Sequence, residues 1–150
     1  MNYREQLCHY LFHISAGPYA KWFKKDKSAW ELSSADLLNY PSNTLGYKVG
    51  LFLSDNGFEF FPKHETHDLF HVILGYGVTV KEEIGLQYLL YGNGKRSLYL
   101  YMVMSLGFFL VPEYYRFYKS SYQKGKKQKT FYHKINKQYL LEEFINVEVV

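Results

Sequence analysis

The chain has 150 residues, 47% of them hydrophobic and 21% charged, with a formal net charge of +4. That length supports one adequate core, and the composition, rich in tyrosine and phenylalanine, is globular and excludes a disordered or low-complexity chain. The lone Cys8 excludes a disulfide framework and points to a reducing compartment, and the positive balance suits an anionic membrane surface or nucleic acid.

Met1 to Ile14 carries Arg4, Glu5 and two histidines, so it does not read as a secretory signal. Tyr3 to Ile14 has helical period, with Tyr3, Leu7, Tyr10, Leu11 and Ile14 on one side. His9 and His13 are four apart but have no carboxylate at ligand spacing, and read as a solvent or interfacial face. Gly17-Pro18 predicts a break, with a second helix from Tyr19 to Lys25. Tyr19, Trp22 and Phe23 with Lys21, Lys24 and Lys25 fit a membrane surface, and fit equally well as lysine stems snorkelling over a core. Ser33 or Ser34 can cap a short helix through Leu38. Pro41 and Asn43 then start a helix to about Asp55, stopped at Gly57 and burying Leu45, Val49, Phe52 and Leu53.

The next stretch is the richest in metal-capable side chains. Lys63 to Leu74 reads as one helix, opened by Pro62 and closed by Gly75 and Gly77. Residues four apart on a helix stand one above the other, about 6 Å apart along the axis, so His67 and His71 aim at one point. His64 falls on the same stripe one turn earlier. Leu69, Phe70, Ile73 and Leu74 cover the other faces, and two buried imidazoles on one stripe need partners or a metal. Thr79-Val80-Lys81-Glu82 reads as a capping box, which puts Glu83 in the first turn of the following helix. Two helices joined by a short glycine turn predict an antiparallel pair, bringing Glu83 towards the His67/His71 face. The H-x-x-x-H spacing with an acid after the first histidine follows the logic of the H-E-x-x-H zinc helix. Here that acid is Asp68, either a ligand or the base that holds a metal-bound water. The competing reading is a structural His/Asp cluster satisfied by carbonyls.

Beyond this pair, Leu86 to Leu90 continue the helix to Gly92-Asn93-Gly94. Leu98 to Val111 is an almost wholly apolar run ending at Pro112. As a helix it would be about 21 Å long, short of the roughly 30 Å that spans a bilayer, and it reads as a core helix or one wall of an apolar pocket. Glu113 to Tyr122 is aromatic and polar, and Lys124 to Lys129 reads as a basic loop. No RNA-binding signature accompanies it, so nucleic acid is not an expected partner; contact with anionic lipid is the middle reading. A last helix is expected over Asn136 to Ile145. Every strong segment has helical period, which predicts a single all-α domain over 1–150 with six to eight helices and a metal site between two adjacent ones.

His67-Asp68-x-x-His71, eleven residues and then Glu83 resembles the H-D-x-x-H-x11-E signature of the coenzyme Q biosynthesis protein 4 family. Tyr40 to Gly46 and Leu53 to Gly57 resemble that family's helix start and stop, Asp68 to Gly75 its metal helix, and Tyr139 to Ile145 its closing helix. The likeness covers roughly Trp30 to Glu148; it departs where Lys134, Lys137 and Tyr139 stand in place of stretches rich in arginine and glutamate. The resemblance implies a peripheral protein on the cytoplasmic face of the inner membrane, associated with other quinone-pathway enzymes. It implies an activity that replaces the C1 carboxyl of a polyprenylated 4-hydroxybenzoate with hydroxyl, and a divalent metal, usually zinc, held by His67, Asp68, His71 and Glu83. The apolar run would then sheath the prenyl tail.

Zinc has no redox chemistry, and this replacement needs an electron acceptor. Two imidazoles and a carboxylate also describe the Fe(II) facial triad, so Fe(II) stands beside Zn. A non-catalytic prenyl-lipid-binding or scaffold protein is the alternative. An H-E-x-x-H hydrolase is disfavoured by aspartate in place of glutamate, and an HD phosphohydrolase by the absence of any later aspartate in the chain.

Overall fold

A computed structural model describes residues 2–147. Among these there are seven α-helices and short 3-10 turns, with no strand beyond one isolated bridge between Thr44 and Glu143. The all-α expectation holds. The chain forms two compact units: Met1–Phe23 with Tyr76–Tyr132, and Lys24–Gly75 with His133–Val150.

In the first unit, α1 (Tyr3–Phe23) runs straight through Pro18, where the sequence predicts a break. An interior proline removes one hydrogen bond and costs about 3 kcal/mol. Both halves of α1 are nonetheless held by packing: Cys8 and Ala20 are buried, and the Tyr19 ring meets the Tyr99 ring at 5.2 Å, tilted by 41°. The start of α1 is tied down at Arg4 Nη2, which meets Glu113 Oε1 at 2.8 Å, and at Glu5, which accepts from the Tyr114 hydroxyl at 2.6 Å. The side of α1 carrying Tyr3, Leu7, Tyr10 and Ile14 faces solvent.

Three more helices complete this unit: α5 (Val80–Gly92), α6 (Leu98–Leu110) and α7 (Tyr115–Lys127). Packing is closest between α5 and α7, where glycines let the two backbones touch. Lys124 to Lys127 are not loop but the last turn of α7, where lysines complement the helix dipole. Asn93 closes α5: its amide donates to the Gly125 and Lys129 carbonyls, and its side-chain oxygen accepts from the Phe131 and Tyr132 amides. The core gathers Cys8, Ile84, Val103, Val111 and the Tyr118 ring, with Tyr88 stacked on Tyr118 at 5.1 Å. The run read as a core helix or a pocket wall is buried on one side only: α6 buries Leu100, Val103 and Gly107 and leaves Leu98, Tyr101, Phe108 and Phe109 exposed.

In the second unit, Ser33 caps α2 (Ser34–Leu38) with a reciprocal bond from Asp36. Thr44, not Asn43, caps α3 (Leu45–Asn56), which ends at Gly57 in the left-handed conformation (φ 67°). Helix α4 (Glu65–Leu74) packs on α3 and buries Leu69, Phe70 and Leu74. The expected closing helix is two 3-10 turns, Lys137–Leu141 and Phe144–Asn146. Between them the backbone turns outward to pair with the start of α3: Leu45 donates to Glu142, and Phe144 to Asn43. A continuous α-helix would have forfeited those bonds. The C-terminal end of the expected family-like core, Glu148, lies outside the described residues.

Candidate metal centre

Helix α4 fixes the two histidines. It begins two residues later than expected, with His64 at the N-cap rather than on the stripe, its ring edge-on to Phe61 at 5.4 Å. Glu65, buried in the first turn, accepts from the Trp30 amide at 2.9 Å and anchors the helix start. Gly75 (φ 68°) ends it in the left-handed conformation that a side chain resists. Between these ends His67 and His71 stand one turn apart. Their Nε2 atoms are 3.1 Å from each other, with rings nearly perpendicular (85°) and centroids 4.7 Å apart. His71 is buried, its other face stacked on Phe52 of α3 at 5.4 Å and 20°. That contact fixes the ring plane, so the direction of its Nε2 lone pair is set by packing.

Glu83 lies in the first turn of α5, which Thr79 caps: its hydroxyl accepts from the Glu82 amide and donates to the Glu82 carboxylate at 2.6 Å. Thr79 caps the helix as predicted, and the Glu82 carboxylate reaches back to accept from the Thr79 hydroxyl and the Gly77 amide. The Thr79 hydroxyl holds the Glu82 carboxyl below its usual range. Within its own unit, Glu83 adds its negative charge to the burial that pushes the Tyr99 phenol up to about 12.

One donor atom each from His67, His71 and Glu83 lie within 4.8 Å of one another, the only such group of three or more among the described residues. It could hold a metal ion. A tetrahedral cation bound to two imidazole nitrogens at about 2.05 Å keeps them about 3.3 Å apart, and an octahedral one somewhat less. The observed 3.1 Å lies in that range. With no cation, one ring must donate to the other, which requires complementary tautomers. Two neutral nitrogens and one carboxylate oxygen suit zinc or Fe(II) rather than calcium or magnesium, which prefer oxygen donors. The donor set therefore fits a divalent transition metal.

Asp68, expected as ligand or base, is half-buried and is not among the converging donors. One step along a helix turns a side chain about 100° from its neighbour. One residue that shapes the site carries no signal in the sequence: Phe52 packs on the His71 ring from another helix, and its own spacing predicts only a buried face of α3. No family model and no curated protein matches the chain. No helix among the described residues is long and apolar enough to cross a membrane.

Proposed function

We propose that the chain is a divergent relative of the coenzyme Q biosynthesis protein 4 family. On this reading it acts, with other quinone-pathway enzymes, in replacing the C1 carboxyl of a polyprenylated 4-hydroxybenzoate intermediate with hydroxyl. The observation that carries the reading is the convergence of His67, His71 and Glu83 from the spacing of that family's signature. His67 and His71 would hold the cation through Nε2, and Glu83 would supply the anionic ligand. A bound divalent cation supplies Lewis acidity, which grips the phenolate and carboxylate of the head group. Asp68, next to His67 but outside the converging donors, serves as a proton acceptor beside the head group. Exchanging carboxyl for hydroxyl releases CO2 and oxidises the ring by two electrons; molecular oxygen is the proposed acceptor, leaving as hydrogen peroxide, with water supplying the hydroxyl oxygen.

Elemental analysis of protein purified without added metal tests the first half: a stoichiometric transition metal is expected, and no affinity for any divalent ion refutes it. Mass spectrometry of quinone intermediates in a deletion strain tests the second. Wild-type protein should clear the carboxylated intermediate and His67→Ala should leave it to accumulate. Equal clearance by both would leave the non-catalytic scaffold as the better account.

A further inference from the structure

Charge is segregated within the unit that contains α1, α5, α6 and α7. This unit carries eleven Lys and Arg against four Glu and no Asp, a net +7. Helices α5 and α7 run parallel: a Cβ on Gly85 would meet Phe117, and one on Gly92 would meet Tyr122. All four glutamates lie at the starting end of this pair. Glu82 and Glu83 open α5, Glu113 precedes α7 and pairs with Arg4, and Glu5 accepts from the Tyr114 hydroxyl. From Tyr114 to Tyr132 there is no acid, against six Lys and Arg. Aromatic rings line the same edge. On α7, Tyr115, Lys119, Tyr122 and Lys126 recur at helical spacing, a stripe about 16 Å long. Both lysines are exposed, and Tyr115 is 51% exposed. The Tyr122 ring lies 5.8 Å from Tyr91 of α5, and Tyr91 lies 6.1 Å from Tyr101 of α6. The Arg96 guanidinium carbon stands 4.0 Å from the centre of the Tyr91 ring. Burial pushes the Tyr88 phenol up and the Tyr115 phenol adds to that rise, so Tyr115 too stands close to α5.

We propose that this edge binds single-stranded nucleic acid, with Arg96, Lys119 and Lys126 on the phosphates and Tyr91, Tyr101, Tyr115 and Tyr122 as stacking surfaces for the bases. Positive charge interleaved with rings is what an unpaired strand requires, because its base faces are open to stacking and its backbone is anionic. Lysine at a helix end complements the dipole only over the last turn. Arg96 and Lys119 lie outside that turn of α7, so the dipole does not account for them. A protein partner is disfavoured, since protein interfaces are depleted in lysine. The outermost positions of α7, Arg116, Lys119, Ser120, Gln123 and Lys127, hold no aliphatic side chain that could enter acyl chains. No sequence-reading fold accompanies the edge, so the contact reads backbone charge and base faces without sequence preference. The inference does not rest on the metal reading.

Fluorescence anisotropy with labelled oligo(U) and oligo(dT) of about a dozen nucleotides tests it. The full chain is used, with a chelator present so that the outcome is separate from the metal centre. Wild-type protein should bind at least one of the two, with a log–log salt slope of about −3 for about four phosphates. Preference for oligo(U) assigns RNA, preference for oligo(dT) assigns DNA, and equal binding means that the sugar is not read; each supports the proposal. The variant Y101A/Y115A should weaken binding at least about fivefold, the loss of one stacked base. K119E/K126E should weaken it at least about tenfold and flatten the slope. K25E/K27E, the same change of charge on the other unit, should weaken it less than about threefold. All six side chains are exposed, so circular dichroism should show the three variants folded, and either of the first two alone keeps the test open. No binding at low salt overturns the proposal, as does a duplex of equal length bound as tightly as the single strands. A folded Y101A/Y115A that binds like wild type, or K119E/K126E no weaker than K25E/K27E, also overturns it. Displacement by poly-L-glutamate as effective as by unlabelled oligonucleotide overturns it too, assigning the edge to an acidic polypeptide.

Discussion

Replacing Glu83 with glutamine is the sharpest test of the three-donor group, because it removes an anionic ligand while keeping the side-chain shape. Metal-free protein would be melted with and without zinc. At free zinc one hundred times the dissociation constant, binding stabilises the wild type by about 2.7 kcal/mol. For a chain of 150 residues this raises Tm by roughly 5–10 °C, at about 2–4 °C per kcal/mol. A four-ligand zinc site releases about 10–16 kcal/mol, so one ligand is worth about 2.5–4 kcal/mol, or roughly 10²–10³ in affinity. At the same free zinc, E83Q then gains no more than about 0.4 kcal/mol, a shift under about 2 °C. Glu83 sits in the first turn of α5, so glutamine also costs a few tenths of a kcal/mol of helix-dipole energy. That loss appears in both melts and cancels in the difference. An E83Q shift equal to that of the wild type would remove Glu83 from the site, and no shift in the wild type would remove the site.

Thr79→Ala should cost about 1 kcal/mol by uncapping α5. It should also flatten the acid limb of the stability curve. Glu82, held low chiefly by the Thr79 hydroxyl, contributes stability above its ordinary value of 4.5 and loses it as pH falls through the depressed folded value; urea melts at several acid pH values would show this. At Gly125 an added Cβ would drive into the Leu89 carbonyl of α5, so Gly125→Ala should cost about 1–3 kcal/mol by forcing the backbones apart. Absence of a fall in Tm would mean that α5 and α7 are not in backbone contact. In the alkaline range, burial raises the Tyr88, Tyr99 and Tyr118 phenols, Tyr99 to about 12. The unfolded chain releases these protons near 10, so stability falls as pH rises above that value. Absorbance titration should show a late set of tyrosines that joins the main transition once urea unfolds the chain.

What could be read from the sequence was what local chemistry decides. Ser33 (one of the two serines expected as a cap), Thr79, and the glycines at 57 and 75 fix helix ends within a few residues of themselves, and each is found at the end it was expected to mark. The pairing of His67 with His71 is equally local, since helix geometry alone sets it. What could not be read depends on partners distant in the chain. Phe52 orients His71 from another helix. The backbone bonds to the Asn43 carbonyl and from the Leu45 amide accompany a C-terminal segment built as a pair of 3-10 turns.

Helix α1 gives the clearest case. Periodicity places Tyr3, Leu7, Tyr10 and Ile14 on one stripe, and the usual inference sends such a stripe to the core. But α1 is apolar on its opposite side too, through Cys8, Phe12, Tyr19 and Ala20. A helix with two apolar sides does not declare which one is inward. The smaller side chains decide: Cys8 and Ala20 allow close approach to the core around Ile84 and Val103, and the bulkier tyrosines and leucine are left outside. The same ambiguity governs α6, where Gly107 lies against Ile84 while Phe108 and Phe109 face outward. In both helices the small residue marks the buried side, and the large apolar residues opposite it are available to a surface outside the chain.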